Sequence, residues 1–310
     1  MIKYKTKGLI AAPFTAMDEK GSVNLEIIES YADHLKGMGV KGAFVAGTTG
    51  EGMLLSDEER LTVIKTWIDQ KTDDFRVIAH AGSTSLSSAK TIAYESARAG
   101  ADAIAIMGPP FLGPKNVEDL VDFCKDVALA APETPFYYYH MPVLSGVNIS
   151  MTEFLNQAEN KIPNLAGIKF TDNNLMEMSN CLSVDNGKWD ILHGYDELLI
   201  AGLAFGAEGA VGSTYNFIAP LYYGIIEDFQ KGDIESARKK QRKSIEFIAI
   251  LIRYHGALVS GKALMGLLGI DCGACRKPMP QLTPDERVNF ESELRDWGFF
   301  EMVRSFPQLE

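Results

Sequence analysis

Eight short apolar runs alternate with segments of helical spacing along the first two thirds of the chain. The runs are rich in β-branched or aromatic residues, as strands are. Most of them are apolar throughout, which is typical of strands that helices cover on one side and packed side chains fill on the other. Eight β/α repeats predict a closed (β/α)8 TIM barrel of the α/β class. The runs begin at Gly8, Gly42, Arg76, Ala103, Pro135, Leu165, Trp189 and Gly209.

A doubly wound open sheet is the alternative architecture for alternating strands and helices. That fold usually carries a glycine-rich dinucleotide fingerprint early in the chain. The glycine-rich stretch here is GTTGEG, from Gly47 to Gly52, and its glycines do not have the spacing G-x-G-x-x-G. The sequence therefore favours the closed barrel.

The pattern changes after about Tyr215, where the strand-like runs end. Residues 217 to 300 have helical spacing, which several glycines and the turn CGACRKPMP interrupt. No low-complexity linker separates the two parts. We predict a barrel in residues 1–230 and a C-terminal helical extension, packed on the barrel, in residues 231–310.

The charge balance limits the possible partners. A formal net charge of -11 and a pI near 5.0 argue against binding of nucleic acid or anionic membrane through a general basic field. We expect a small-molecule substrate and neither nucleic acid nor membrane as a partner. Four scattered cysteines do not resemble a disulfide framework, and the N-terminal stretch has no long apolar run. We expect a cytoplasmic protein.

Polar residues follow the predicted strands at the end where a TIM barrel carries its active site. They form one candidate set, drawn from five strands. The set consists of Thr48 and Thr49 after the second strand, Tyr139 at the end of the fifth, Lys169 and Thr171 at the sixth, Gly194, Asp196 and Glu197 after the seventh, and Ser213 at the eighth.

Lys169 is the one charged residue inside the apolar run LAGIKF. A period of two places Gly167 and Lys169 on one face and the apolar Ala166, Ile168 and Phe170 on the other. We expect the apolar face to meet the helices, so that Lys169 points into the barrel. Burial disfavours the charged form of an amine, and a neutral amine can form a Schiff base with a ketone. The alternative is a lysine that extends past the barrel rim or pairs with a carboxylate.

Two further features near this lysine admit two interpretations each. Thr48 and Thr49, beside the flexible backbone of Gly50, form either a pocket for a small carboxylate or an ordinary turn. Tyr139 is either a packed aromatic residue or a proton relay for imine chemistry at Lys169.

Together, these stretches resemble those of the N-acetylneuraminate lyase and dihydrodipicolinate synthase superfamily in order and spacing, over essentially the whole chain. Within it, two features favour the branch of the sialic acid lyases, which split sialic acid into pyruvate and N-acetylmannosamine. One is the loop Gly194-Tyr195-Asp196-Glu197, and the other is the lack of an arginine shortly after Pro142, where the synthases carry one. The stretches are GTTGE, Tyr139–Pro142, Gly167–Thr171, Gly194–Glu197 and Gly212–Thr214.

The resemblance implies a role for each candidate residue. Lys169 forms the imine with the 2-keto group, and Tyr139 positions the substrate and relays the proton of the C4 hydroxyl while the C3–C4 bond breaks. Thr48, Thr49 and the backbone near Gly50 hold the carboxylate. Neither a metal nor an organic cofactor is required, and a homo-oligomer, by resemblance a tetramer, is expected. The sugar chain is bound by Thr171, Gly194, Asp196, Glu197 and Ser213.

The chain departs from the family pattern in two places. Many bacterial members have serine where Thr48 stands, and members often have a tyrosine pair where this chain has Phe111 and Leu112.

Two alternative functions stay open at this point. One is another pyruvate-dependent aldolase or hydro-lyase, such as a 2-keto-3-deoxy sugar acid aldolase or a dihydrodipicolinate synthase. The other is a non-catalytic barrel that binds a keto acid or a sugar.

Cys272 and Cys275 have the C-x-x-C spacing of zinc sites and redox pairs. No second pair and no nearby histidine accompany them. The sequence therefore favours a plain turn before Pro278.

Overall fold

The eight predicted strands form one closed parallel barrel. The computed structural model describes residues 5–306, so residues 1–4 and 307–310 of the two predicted units lie outside the described residues. Each strand pairs with the next along the chain, and β8 returns to β1 with Ala11 opposite Gly212. The predicted TIM barrel is confirmed. The strands are β1 (Gly8–Ala11), β2 (Gly42–Val45), β3 (Arg76–His80), β4 (Ala103–Met107), β5 (Phe136–His140), β6 (Leu165–Phe170), β7 (Asp190–His193) and β8 (Gly209–Gly212).

Helices surround the barrel and continue beyond its last strand. Those of the barrel are α1 (Ile28–Gly37), α2 (Asp57–Ile68), α3 (Leu86–Ala99), α4 (Val117–Ala128), α5 (Pro142–Ser145), α6 (Met151–Ala158), α7 (Leu175–Ser183), α8 (Leu199–Ala204) and α9 (Tyr215–Gln230). The later ones are α10 (Ile234–Arg253), α11 (Gly256–Leu267), α12 (Pro284–Trp297) and α13 (Phe299–Arg304). We propose to keep the boundary at residues 230 and 231, since α9 ends at Gln230.

The interior of the barrel is a separate apolar cluster from the layer between strands and helices. Alternate residues of β5 show the division, because Tyr137 and Tyr139 lie inside and Tyr138 packs outside. Strand β6 breaks the expected alternation. Its register with β5 shifts between Phe136 and Tyr137, so that Ala166 joins the interior cluster.

The expectation that Ala166 faces the helices was therefore wrong. A β-bulge adds one residue to a strand and turns the residues on its two sides differently. Ile168 and Phe170, beyond the bulge, do pack on the helix side. Lys169 consequently keeps the predicted direction into the barrel, where its amine lies over interior rings.

No single helix among residues 5–306 is long and apolar enough to cross a membrane. Helices α10 and α11 pass that test only as a pair, and the chain bends by 98° between them.

Cys272 and Cys275 are both buried free thiols in the segment after α11.

A buried ion pair joins the loop after β2 to helix α11. The Nζ of Lys262 lies 2.5 Å from the Oε1 of Glu51, and both side chains are almost completely buried. The second carboxylate oxygen of Glu51 accepts the backbone N–H of Arg276 at 2.7 Å. Lys262 also donates to the carbonyl of Ala274 at 3.0 Å. These bonds replace much of the hydration that the two charges lose.

The side chain of Arg276 extends this connection to two more segments. Its guanidinium forms an ion pair with Glu59 of α2 and donates to the carbonyls of Leu54 and Gly21. The guanidinium hydrogen bond is the main cause that lowers the pKa of Glu59 to about 2. The segment after α11 is therefore bound to the loops after both β1 and β2.

Replacement of Lys262 tests how much this connection stabilises the fold. Lys262→Met leaves the buried carboxylate of Glu51 without its counter-charge, so we expect the free energy of unfolding to fall by about 3–5 kcal/mol. Urea denaturation measures this change. The matched control is Lys231→Met, which breaks the exposed pair with Glu227 and should have no measurable effect. Equal losses in the two variants would contradict a special role of the buried pair.

Candidate active site

The amine of Lys169 lies inside the mouth of the barrel, with only 5% of the residue exposed. Its Nζ is 4.2 Å from the ring centroid of Phe44 and 3.9 Å from that of Tyr139. Among residues 5–306 no carboxylate lies within 4.0 Å of this nitrogen. The structure thus excludes both a lysine extended past the rim and an ion-paired lysine within the described part of the chain.

The two rings reach the amine because their strands place them inward at the same level. Tyr139 is the direct neighbour of Lys169 in the pairing of β5 with β6. Phe44, on β2, packs edge-on against Tyr139 with ring centroids 5.5 Å apart. The faces of aromatic rings carry negative potential and favour a cation. A protonated imine at Lys169 would lie in such an environment.

The hydroxyl of Tyr139 connects the amine to the loop after β2. It lies 3.5 Å from the Oγ1 of Thr48 and donates to the thioether sulfur of Met141 at 2.8 Å. A thioether is a weak acceptor. A ligand with a better acceptor can therefore replace Met141 as the partner of this phenol.

The turn that carries Thr48 and Thr49 is packed too tightly for larger residues. Ala46 has φ of 57°, in the left-handed region, and a β-carbon at Gly52 would collide with its carbonyl. The carbonyl of Gly50 accepts the hydroxyl of Thr15 at 2.6 Å. Thr48 itself is exposed, and Thr49 is half-buried. The backbone of the turn is thus fixed, while the hydroxyl of Thr48 lies toward Tyr139 in the mouth of the barrel.

His80, the last residue of β3, is a member of the site that the sequence analysis did not select. Its Nδ1 lies 3.1 Å from the carbonyl of Ala46, and its ring packs edge-on against Tyr139. Burial first, and then the basic groups of Arg60 and Lys169, lower the pKa of His80 to about 3. The ring is therefore neutral, and the carbonyl of Ala46 can accept a hydrogen from its Nδ1. The signal in the sequence that could have identified His80 was its position at the end of a predicted strand.

On the opposite side of the mouth, Thr171 and Gly194 lie in direct contact. A β-carbon at Gly194 would collide with the hydroxyl oxygen of Thr171, so only glycine fits there. This hydroxyl is buried and has no hydrogen-bond partner among residues 5–306. An unpaired buried hydroxyl at this place is available to a ligand.

The carboxylate of Asp196 is buried and largely used within the protein. Its Oδ2 accepts the backbone N–H of Thr214 at 2.9 Å and the hydroxyl of Thr214 at 2.6 Å. Its Oδ1 lies against the Cα of Gly212 and has no hydrogen-bond partner in the described part of the chain. Burial raises the pKa of Asp196. The carboxylate is therefore held by Thr214 through Oδ2, while Oδ1 is fully buried.

Glu197, the next residue, is half-buried. Burial, and secondarily the neighbouring charge of Asp196, raise the pKa of its carboxyl group. Ser213 is also half-buried and precedes Thr214, the partner of Asp196. No hydrogen bond within residues 5–306 links the side chains of Thr49 or Ser213 to the other predicted site residues. Each is the direct neighbour of a residue that has such a contact. Thr49 follows Thr48, which lies near Tyr139, and Ser213 precedes Thr214, which donates to Asp196.

The fold agrees with comparisons to known proteins. The model of the dihydrodipicolinate synthetase family matches residues 5–296. The chain is 38% identical to N-acetylneuraminate lyase of Rattus norvegicus over 312 residues, 99% of this chain and 96% of the relative. It is 43% identical to that of Xenopus tropicalis over 280 residues, 89% of this chain and 91% of the relative.

A solved structure agrees equally well. The structure of Proteus mirabilis N-acetylneuraminate lyase superimposes with a TM-score of 0.92 at 42% sequence identity, covering 96% of this chain and 100% of that chain. Both the sequence and the fold are thus matched over nearly their full length. This chain belongs to the dihydrodipicolinate synthetase family.

Proposed function

We propose that this chain is a class I aldolase, a carbon–carbon lyase that cleaves N-acetylneuraminate into pyruvate and N-acetylmannosamine. The observation that carries the proposal is the amine of Lys169, buried without a carboxylate partner in the described chain and 3.9 Å from the ring centroid of Tyr139. An amine in this environment is suited to Schiff-base formation. The similarity to lyases from animals and bacteria supports the same substrate.

The reaction begins with attack of the Lys169 amine on the C2 ketone of the open-chain sugar acid. Loss of water gives a protonated imine, which accepts the electron pair of the C3–C4 bond when the C4 hydroxyl loses its proton. N-Acetylmannosamine leaves as the aldehyde, and an enamine of pyruvate remains on the lysine. Protonation at C3 and addition of water then release pyruvate. Each step uses the chain and water, so the proposal includes no metal or organic cofactor.

Tyr139 is the proposed proton relay for this sequence. Its hydroxyl has a long contact with the hydroxyl of Thr48 and donates to a weak thioether acceptor, so it can turn toward the C4 oxygen. Thr48, Thr49 and the backbone at Gly50 are proposed to hold the substrate carboxylate. The fixed turn beneath them supports that role, since a rigid site loses less entropy on binding.

The remaining candidate residues are proposed to bind the polyol chain. The buried hydroxyl of Thr171 and the buried Oδ1 of Asp196 lack a hydrogen-bond partner among residues 5–306. Sugar hydroxyl groups are suitable partners for such atoms. Glu197 supplies a further carboxylate acceptor, while Gly194 and Ser213 contribute backbone or hydroxyl contacts.

We also propose that the enzyme acts in carbohydrate metabolism, in the cytoplasm and as a homotetramer. The assembly is supported by exposed apolar side chains beside the barrel mouth. Phe111 and Leu112 in the loop after β4 are 93% and 83% exposed, and Val143 in α5 is 73% exposed. A second copy that covers this surface would remove apolar area from water.

Borohydride trapping tests the central step. Reduction in the presence of N-acetylneuraminate, or separately of pyruvate, should leave a pyruvyl adduct on Lys169, located by peptide mass mapping. Lys169→Met should form no adduct and lose activity by several orders of magnitude, because the nucleophile is gone. An adduct from pyruvate alone would indicate an aldolase for a different 2-keto acid. No adduct from either compound would refute imine chemistry.

The pH dependence of substrate binding tests the role of Glu197. Its ionised form accepts hydrogen bonds, so the KM for N-acetylneuraminate should rise as the pH falls through its raised pKa, above the ordinary value of 4.5. Glu197→Gln should remove this inflection and raise KM at neutral pH by roughly 10- to 100-fold, through loss of a charged acceptor. The exposed Glu246→Gln on α10 is the control. An unchanged inflection in Glu197→Gln would exclude this assignment.

Sedimentation velocity tests the proposed assembly. The protein should sediment as a tetramer, and Phe111→Asp should shift it to smaller species because a charge in an apolar interface is unfavourable. Val288→Asp, on the exposed face of α12, is the control, because it also places an aspartate at an exposed apolar position. If Phe111→Asp kept the wild-type sedimentation coefficient, the interface would have to lie elsewhere.

A further inference from the structure

Gln241, on helix α10 of the C-terminal extension, contacts the loop that carries Asp196 and Glu197. Its side chain is buried, with 7% exposed. The amide nitrogen donates to the backbone carbonyl of Asp196 at 3.0 Å, and the amide oxygen accepts the backbone N–H of Ile200 at 3.0 Å. The nitrogen also donates to the hydroxyl of Ser244 at 2.8 Å. One side chain thus binds both ends of a five-residue segment.

The two backbone groups need a partner from outside the segment. Ile200 lies in the first turn of α8, where N–H groups have no acceptor within the helix. Asp196 opens the short 3-10 turn Asp196–Leu198 that leads into this helix. A side-chain amide offers a donor and an acceptor on two separate atoms, so it can bind both groups at once. Gln241 therefore acts as a helix cap supplied by a distant part of the chain.

We propose that Gln241 is a positioning residue for recognition of the polyol chain. The inference rests on the proposed function, in which this loop binds the sugar. Gln241 fixes the backbone on both sides of Glu197, and the direction of that carboxylate follows from the backbone. A shift of about 1 Å in such a group is enough to weaken binding strongly.

The contacts of Gln241 are separate from those that support the imine. Its hydrogen bonds go to Asp196, Ile200 and Ser244. The turn that is proposed to hold the carboxylate is connected instead to Lys262, through Glu51. Loss of Gln241 should therefore impair cleavage of the sugar acid and spare imine formation with pyruvate.

The test compares Gln241→Met, which removes all three side-chain hydrogen bonds to Asp196, Ile200 and Ser244, with Gln241→Glu, which keeps the shape and the acceptor for Ile200 but loses the donor. We expect kcat/KM for N-acetylneuraminate to fall, mostly through KM, by about 10- to 100-fold in Gln241→Met, where two buried backbone groups lose partners, and by about 10-fold in Gln241→Glu, where only the carbonyl of Asp196 does. Borohydride trapping with pyruvate should stay within about twofold of wild type. Hydrogen exchange at the Ile200 amide should become faster in Gln241→Met.

Phe247→Leu is the matched control on the same helix. Phe247 is fully buried and packs against Phe217, Trp297 and Phe299, so its truncation destabilises α10 without touching the loop. This control should retain both reactions.

Three results would overturn the inference. They are equal losses of cleavage and trapping in the Gln241 variants, unchanged cleavage, or unchanged exchange at Ile200. A wild-type protein that fails to trap pyruvate would instead overturn the proposed function itself, and the role in sugar recognition with it. The exchange measurement needs no activity and separates the two failures.

Discussion

The buried pair of Glu51 and Lys262 is the interaction on which the geometry of the barrel mouth depends. Removal of two charges from water costs several kcal/mol each, and only close contact and further hydrogen bonds offset that cost. Arg276 and Ala274 supply those bonds from the segment after α11. The turn with Thr48 and Thr49 therefore cannot relax without exposing a charge to an apolar interior. The same pair connects the barrel to its extension.

Several polar groups near Lys169 are buried without an ordinary hydrogen-bond partner. Buried hydroxyl and carboxylate groups normally have partners. Thr171 Oγ1 and Asp196 Oδ1 have none among the described residues, and the phenol of Tyr139 is bound to a thioether. Such local defects lower stability, and proteins tend to keep them at functional sites. Their position on residues at or just after the C-terminal ends of β5, β6 and β7 is an argument for a polar ligand that is independent of any similarity to other proteins.

The sequence predicts the architecture well because strand and helix periodicity are local properties. It also selects Lys169, since one amine in an apolar strand is conspicuous. It misplaces Ala166, because a β-bulge depends on the pairing of two strands and leaves no local signature. It passes over His80, whose place in the site follows from contacts with Ala46 and Tyr139, which are distant in the sequence. Glu51 and Arg276 are 225 positions apart, and no periodicity connects residues at that distance.

The extension supports the two sides of the mouth through different helices, and this separation has a physical consequence. Helix α11 and the segment after it hold the turn at Thr48 by charge, whereas α10 holds the loop at Glu197 by an uncharged amide. Buried charges resist displacement more strongly than neutral hydrogen bonds. Displacement of the turn at Thr48 therefore costs more free energy than displacement of the loop at Glu197. A barrel built in this way can change which substrate tail it binds while the chemistry at the lysine stays the same.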